Sequence, residues 1–331
     1  MRFVVVGTGA IGGVVGGKLV AAGHDVVLVA RGAQFAAIRE RGLRIESPVG
    51  PTTVTAAVVD RVDAVDWRVD DVALVAVKTQ DFAAALAPIG VDVTVACLTN
   101  GIEAERIALR RFSRVLAVSV VSPASFTVPG IVELWSAPVA GTLDLGVYPA
   151  DRREAGRLHL GPHGSSAVAI ELAAAFESAG FSSLVRDDIM RWKRGKLLAN
   201  LGNAAEALTE PVARTSSIAK RTRAEGLACY AAAGLSTISD DEDAARRSVW
   251  KLEPIAGRTR SGGSTWQSLA RGTGAVECDY LNGEIVLLGR EHGVPTPVNA
   301  ALQRLVADAA RAGTPPGSMT LDELDRRIDS R

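Results

Sequence analysis

The 331 residues are 47% hydrophobic and 22% charged, and 37 Lys and Arg balance 37 Asp and Glu, so the formal net charge is zero. A chain without a basic balance lacks the electrostatic footprint that phosphate backbones demand, which argues against nucleic acid as a partner. No run of ~18 apolar residues offers a membrane span, and three scattered cysteines (Cys97, Cys229, Cys278) suggest neither a disulfide framework nor a zinc site.

At about 150 residues per domain the length suggests two domains. Phe3 to Val6 is a continuous apolar run, as expected of a strand buried on both faces, and glycines follow at once. That run is too short for a signal peptide and lacks a basic start, so a cytoplasmic location is expected. Gly12 to Ala22 reads as a helix and Asp25 to Val29 as a second buried strand. Val72 to Val77, Val93 to Leu98 and Val115 to Val121 follow as further buried strands, mostly separated by helical stretches. Ile131 to Leu134, Gly141 to Val147 and Arg157 to Leu160 read as shorter strands on the far side of that sheet. The alternation predicts an α/β fold with a doubly wound sheet.

From Ser165 the pattern turns helical: Ala167 to Ala179, a long helix from Asp187 to Leu208, then Ile218 to Ala233, Asp240 to Leu252, Val276 to His292 and Val298 to Ala312. Ser261-Gly262-Gly263-Ser264 breaks the series as a polar loop, and the tail after Gly313 has room for a short terminal helix. The expected boundary lies near residue 186, with a sheet domain over 1–186 and a mainly α-helical domain over 187–331. His159 and His163 flank a Gly-Pro pair with no carboxylate or cysteine nearby, so no metal site is expected.

Gly7-Thr8-Gly9-Ala10-Ile11-Gly12 fits G-x-G-x-x-G between a predicted strand and a predicted helix. The first glycine permits the tight turn and the second lets backbone approach a pyrophosphate. The third lets helix and strand close up, and the helix N-terminus faces the anion. The alternative is an ordinary glycine-rich turn. At the end of the second strand, where NAD binders place an acidic residue, the chain reads Leu28-Val29-Ala30-Arg31-Gly32. A guanidinium there suits a 2′-phosphate, which favours NADP(H), although a lone arginine also reads as a solvated surface charge.

On the long helix, at ~100° per residue, Asn200 falls about +40° and Asn203 about −20° from Lys196, away from the face of Leu197, Leu201 and Leu208. Asparagine is a poor mid-helix residue, so two beside a lysine suggest a lined polar site; a solvated face is the alternative. Ser264-Thr265-Trp266-Gln267 and Val276-Glu277-Cys278-Asp279-Tyr280-Leu281-Asn282-Gly283 form the last constellation. There Ser264 could bind a carboxylate or hydroxyl, and Glu277 could equally be a surface charge early in a helix.

Taken in order, these segments resemble the ketopantoate reductase (2-dehydropantoate 2-reductase) family from Arg2 to about Leu302. The likeness rests on the glycine motif with Arg31, Val77-Lys78-Thr79, Thr99-Asn100-Gly101, Trp192 with Lys196-x-x-x-Asn200, Ser264-x-x-Gln267, and the Glu277 to Gly283 segment. The resemblance implies a Rossmann-type N-terminal domain, a helical C-terminal domain and a cleft between them. It implies NADPH-dependent reduction of a 2-oxo acid to a 2-hydroxy acid, ketopantoate to pantoate in pantothenate biosynthesis. By this carry-over Lys196 is the catalytic lysine and proton donor, and Glu277 helps position the site. Asn200 and Ser264 bind the substrate, with Asn203 read as a partial substitute for the family's second asparagine. Gly7, Gly9, Ala10, Ile11, Gly12, Arg31, Lys78 and Asn100 hold NADP(H).

The chain departs from the family pattern eight residues after the lysine, where a second asparagine is expected and Ala204 stands; Asn203 comes one residue earlier. Ala205-Glu206-Ala207 replaces Pro-Leu-Thr, and Ser268 stands where an aspartate often follows the glutamine. These changes bear on the substrate, so a paralogue acting on another 2-oxo acid or carbonyl, or a non-catalytic NADPH-binding sensor, is the alternative reading. The substrate is a small molecule on either enzymatic reading. Oligomeric state is not legible, and the C-terminal helices are the candidate interface of a homodimer.

Overall fold

The computed structural model describes residues 1–150, 165–209, 213, 216–260, 262–272 and 274–330. The strand expected at Arg157 to Leu160, the two neighbouring histidines His159 and His163, and Ser261 lie outside the described residues. The chain divides into two compact units, one made of Met1–Met190 with Asp240–Thr259, the other of Arg191–Ser239 with Arg260–Arg331.

The first unit runs β1 (Phe3–Val6), α1 (Ala10–Ala21), β2 (Val26–Val29), α2 (Gly32–Arg41), β3 (Leu43–Glu46), β4 (Thr52–Val54), β5 (Ala57–Val59) and β6 (Val72–Val75). It continues through α3 (Thr79–Leu86), β7 (Thr94–Cys97), α4 (Ala104–Leu109), β8 (Arg114–Val121), β9 (Ala124–Val128), β10 (Ile131–Leu134), β11 (Ser136–Ala137), β12 (Thr142–Tyr148) and α5 (Ser165–Ser178). Among the described residues seven strands form one sheet in the order β12-β8-β7-β6-β1-β2-β5. All pairings in it are parallel except β12 on β8. Its central strands are buried on both faces, so alternate residues enter different cores. Phe3, Val5, Val72 and Leu74 join one cluster with α1 and α5 residues, while Val4, Val6, Ala73 and Val75 join another with Phe82 and Leu86 of α3.

Of the shorter strands, β12 does extend this sheet, but β10 does not. It belongs with β3, β4 and β9 in a separate four-stranded sheet. Helix α1 lies between the two sheets, and its glycines make that possible. A β-carbon on Gly16 would come within 2.7 Å of Leu28, whereas one on Gly13 or Gly17 would meet Val132 or Ile45 of the second sheet at 2.6 and 2.8 Å. The small-residue richness of α1 is therefore a packing requirement on two sides.

Helix α6 (Ile189–Asn200) carries the chain into the second unit, followed by α7 (Asn203–Leu208) and α8 (Ser217–Ala232). The continuous helix expected from Asp187 to Leu208 is thus two helices. Asn282, distant in sequence, donates through Nδ2 to the Leu201 carbonyl at 3.1 Å, and Gly202 follows in the turn. The helical repeat stops at Asn200, where the Leu201 N–H turns to the Leu198 carbonyl at 3.4 Å instead of continuing the four-residue pattern.

Asp240–Thr259, expected in the second domain, returns to the first unit as α9 (Asp240–Arg247) and β13 (Lys251–Leu252). The helix expected to reach Leu252 ends early because Lys251 and Leu252 pair with β11 instead. The second unit is completed by α10 (Ser264–Ala270), α11 (Asn282–His292), α12 (Pro297–Arg311) and α13 (Leu321–Asp329). Its apolar core joins Ala204, Leu208, Leu302, Val306 and Leu324. Among the described residues no helix is long and apolar enough to cross a membrane.

Candidate active site

In the first unit the expected cofactor residues gather at one edge of the parallel sheet. The glycine turn follows β1, Arg31 follows β2 and caps α2, Lys78 caps α3 after β6, and Asn100 follows β7. Because β1 lies between β6 and β2, connections leave it in opposite directions. The carboxyl ends there form the crevice where doubly wound sheets bind ligands. The Thr79 hydroxyl donates to the Asn100 carbonyl at 3.4 Å, linking the segments after β6 and β7.

The turn itself has the shape its motif requires. Gly7 sits at φ +95°, and a β-carbon there would lie 2.7 Å from Val77. A β-carbon on Gly12 would fall 2.1 Å from the Gly7 carbonyl oxygen, so the third glycine lets the helix close onto the turn. Gly9 differs, since a β-carbon there would meet nothing within 4 Å among the described residues. Protein packing does not require glycine at that position, which leaves open space over the backbone. Gly9 also caps α1 without a side-chain hydrogen bond, and the first turn carries no acidic residue. This cradle fits a dinucleotide pyrophosphate: accessible backbone, a positive helix end and no competing carboxylate.

In the second unit Lys196 and Asn200 sit one turn apart on α6, both half-buried. Asn203 opens α7 and is 4% exposed. Because the helix breaks before it, the azimuth drawn for Asn203 from a continuous helix does not apply. Its Oδ1 is buried with no hydrogen-bond partner among the described residues. Ser264 is the first residue of α10 and is exposed. Helices α7 and α10 pack together, and the buried Glu206 carboxylate accepts the Gly263 N–H at 3.2 Å, one residue before Ser264. Sequence reasoning noted Glu206 only as a departure from the family pattern. Nothing local signals a partner in α10.

Glu277 does not lie in a helix, although the sequence predicts one from Val276 to His292. It precedes a single 3-10 turn, Cys278–Tyr280, and α11 begins only at Asn282. The rest of that motif supports structure. Asp279 accepts from Gln303 Nε2 at 2.8 Å, and a β-carbon on Gly283 would collide with the same Gln303 nitrogen at 2.8 Å. Asn282 binds the Leu201 carbonyl and Asn299 Oδ1 together, at 3.1 and 2.9 Å. The motif therefore ties the α6–α7 turn to α11 and α12. Burial first, then the Asp279 charge, pushes the Cys278 thiol up to about 12, so it stays protonated at neutral pH and is no nucleophile.

Two family models match the chain: "Ketopantoate reductase PanE/ApbA" over residues 3–149 and "Ketopantoate reductase PanE/ApbA C terminal" over residues 188–310. The 2-dehydropantoate 2-reductase of Halobacterium salinarum is 28% identical, with 95% of this chain and 100% of that protein covered. The enzyme of the same name from Pyrococcus horikoshii is 28% identical over 92% of this chain and 96% of its own. The crystal structure of a PanE/ApbA family ketopantoate reductase from Ralstonia eutropha superposes with a TM-score of 0.74 at 27% identity, covering 95% and 99% of the two chains. A ternary structure of D-mandelate dehydrogenase with NADH and anilino(oxo)acetate shares the fold, with a TM-score of 0.76 at 22% identity and the same coverage. With both domain models matched in order over most of its length, the chain belongs to the ketopantoate reductase family of oxidoreductases.

Proposed function

We propose that the protein reduces a 2-oxo acid to a 2-hydroxy acid with NADPH, and that 2-dehydropantoate, en route to pantothenate, is the first substrate to test. The observation that carries this reading is the cradle at the β1 switch point: an open Gly9, flanked by Arg31 in place of an acidic residue. Gly7, Gly9, Ala10, Ile11 and Gly12 would hold the pyrophosphate, Arg31 the 2′-phosphate, and Lys78 and Asn100 the remainder of the cofactor. NADPH bound there supplies the hydride.

The other steps fall to side chains of the second unit. As hydride reaches the carbonyl carbon, negative charge grows on the carbonyl oxygen. The Lys196 ammonium stabilises that charge and then gives its proton to the oxygen. Arginine would stabilise the charge but would not readily surrender the proton. Asn200 and Ser264 orient the acid, and Glu277 positions the lysine and cofactor ribose. Asn203 offers a buried acceptor oxygen without a partner among the described residues, suited to a donor on the substrate. Glu206 and Ala204 in α7, where the family carries other residues, favour a second substrate within the same chemistry, a different branched 2-oxo acid.

The test follows NADPH oxidation by nicotinamide absorbance with 2-dehydropantoate and a panel of branched and linear 2-oxo acids, using NADH as control. Turnover of any of these acids with NADPH supports the reading, and the panel names the substrate. NADP+ binding without turnover on the whole panel overturns it in favour of a sensor. The cradle has its own check. Gly12→Ala must push the Gly7 carbonyl aside, and strain of this kind typically costs about 1–3 kcal/mol. We expect NADP+ binding to weaken by about tenfold on that basis, measured by titration calorimetry, with the circular dichroism spectrum unchanged.

A further inference from the structure

One buried side chain joins the two halves of the cofactor cradle, and neither the motif nor the proposed chemistry assigns it a part. Gln34 lies in the first turn of α2, three residues after Arg31, and is 8% exposed. Its Nε2 donates to the Thr8 carbonyl inside the glycine turn at 2.8 Å. Its Oε1 accepts the Gly130 N–H, in the β9–β10 turn, at 2.6 Å. A carbonyl on one side and an N–H on the other admit only one orientation of the amide. Neither glutamate, lacking the donor, nor lysine, lacking the acceptor, meets both.

The far side of the turn is fixed as well. Thr8 N–H and Oγ1 both reach the Val29 carbonyl, at 3.1 and 2.9 Å, and Gly7 N–H reaches it at 3.2 Å. The backbone leading to Gly9 is thus pinned to the end of β2 and, through Gln34, to the start of α2. That helix start is also where Arg31 is anchored, as its cap residue.

We infer that Gln34 is a positioning residue for cofactor selectivity, holding the pyrophosphate turn and the Arg31-bearing helix start in one register. The inference rests on the NADPH reading of Arg31. NADPH engages both ends of the span, and NADH, without a 2′-phosphate, engages only the turn. Losing the register therefore costs NADPH more than NADH.

The test measures dissociation constants of NADP+ and NAD+ by titration calorimetry on the full chain, for the wild type, Arg31→Ala, Gln34→Leu and Gln34→Glu. Arg31→Ala is expected to abolish the NADP+ preference. Gln34→Leu is expected to weaken NADP+ about tenfold, on the scale of one lost hydrogen bond, and NAD+ by no more than about twofold. Gln34→Glu should match Gln34→Leu at pH 8 and recover relative to wild type near pH 6. Burial against the Thr8 carbonyl disfavours the carboxylate and raises its pKa, so near pH 6 a protonated fraction can again donate to that carbonyl. Equal losses for both cofactors in Gln34→Leu would make the residue merely structural and overturn the inference. If Gln34→Leu does not fold, the pH response of Gln34→Glu decides, and no recovery overturns it. A preference that survives Arg31→Ala overturns the cofactor reading and this inference with it. One that Arg31→Ala abolishes and both Gln34 variants leave intact overturns this inference alone.

Discussion

Lys196→Ala is expected to lower kcat on the best 2-oxo acid by about 10²–10⁴-fold, the range that a positioned proton donor contributes. NADP+ affinity should stay within about twofold, since the cofactor cradle lies in the other compact unit and is built without this residue. Lys196→Arg separates the two tasks assigned to the lysine. It keeps a positive charge beside the developing alkoxide but holds its proton too tightly to give it away. An intermediate kcat in Lys196→Arg is therefore expected, above Lys196→Ala and well below wild type. Lys193 is the internal control for position: it lies one turn earlier on α6 and is the more deeply buried lysine. Should Lys196→Ala retain kcat within about tenfold of wild type, below the range above, the proton donor is another group. The role of α6 must then be redrawn.

The parts of this site legible in the sequence are those whose cause is local. β1, β2 and β6 are short valine-rich runs and β7 is a short run with one valine, all fully buried, and the glycine turn must follow β1 for its spacing to make sense. The edge where Gly9, Arg31, Lys78 and Asn100 converge then follows from parallel strands alone, because parallel strands put all their carboxyl ends on one side. What the sequence concealed depends on distant partners. At the break between α6 and α7 the Leu201 carbonyl is held by Asn282, 81 residues away in sequence. Lys251 and Leu252 form a strand because Ser136 and Ala137 present an edge to them, although their own stretch reads as helix. Glu206 looks like a helical surface carboxylate until α10 brings the Gly263 N–H to it. Gln34 looks equally ordinary, one polar residue in a short amphipathic turn, and only the fold shows that both ends of its amide are used. The second sheet went unread for a related reason. β3, β4, β9 and β10 are brief, and β10 pairs in parallel with β3, a partner far back in the chain.

Asp144 ties Asp240–Thr259 to the first unit through Arg246, and its removal carries the largest expected loss of stability. Asp144 on β12 is buried and receives Arg246 of α9 through three contacts of 2.6–3.0 Å, Arg186 through two of 2.9 and 3.0 Å, and the Leu184 N–H at 3.1 Å. Arg246 also reaches the Ser182 hydroxyl and carbonyl at 2.9 and 3.0 Å. Taking away the shared acceptor leaves the largely buried Arg246 guanidinium without the carboxylate it grips and removes a charged partner from Arg186. Breaking a buried pair from one side in this way costs about 3–5 kcal/mol. Asp144→Ala should therefore lower the urea midpoint of the first unfolding transition steeply. It should also let trypsin cut after Arg246 or Arg247 under conditions where the wild type resists. Asp144→Asn keeps an acceptor for the Leu184 N–H but no charge, so it should lose nearly as much. Arg221→Ala is the comparison: its partners Asp325 and Asp329 are 40% and 60% exposed, and such surface pairs contribute at most about 1 kcal/mol. Were Asp144→Ala to shift the midpoint no further than Arg221→Ala, the segment would be held by β13 pairing and by Arg258 on Glu133 and Glu46, at 2.7 and 3.2 Å, and not by this cluster.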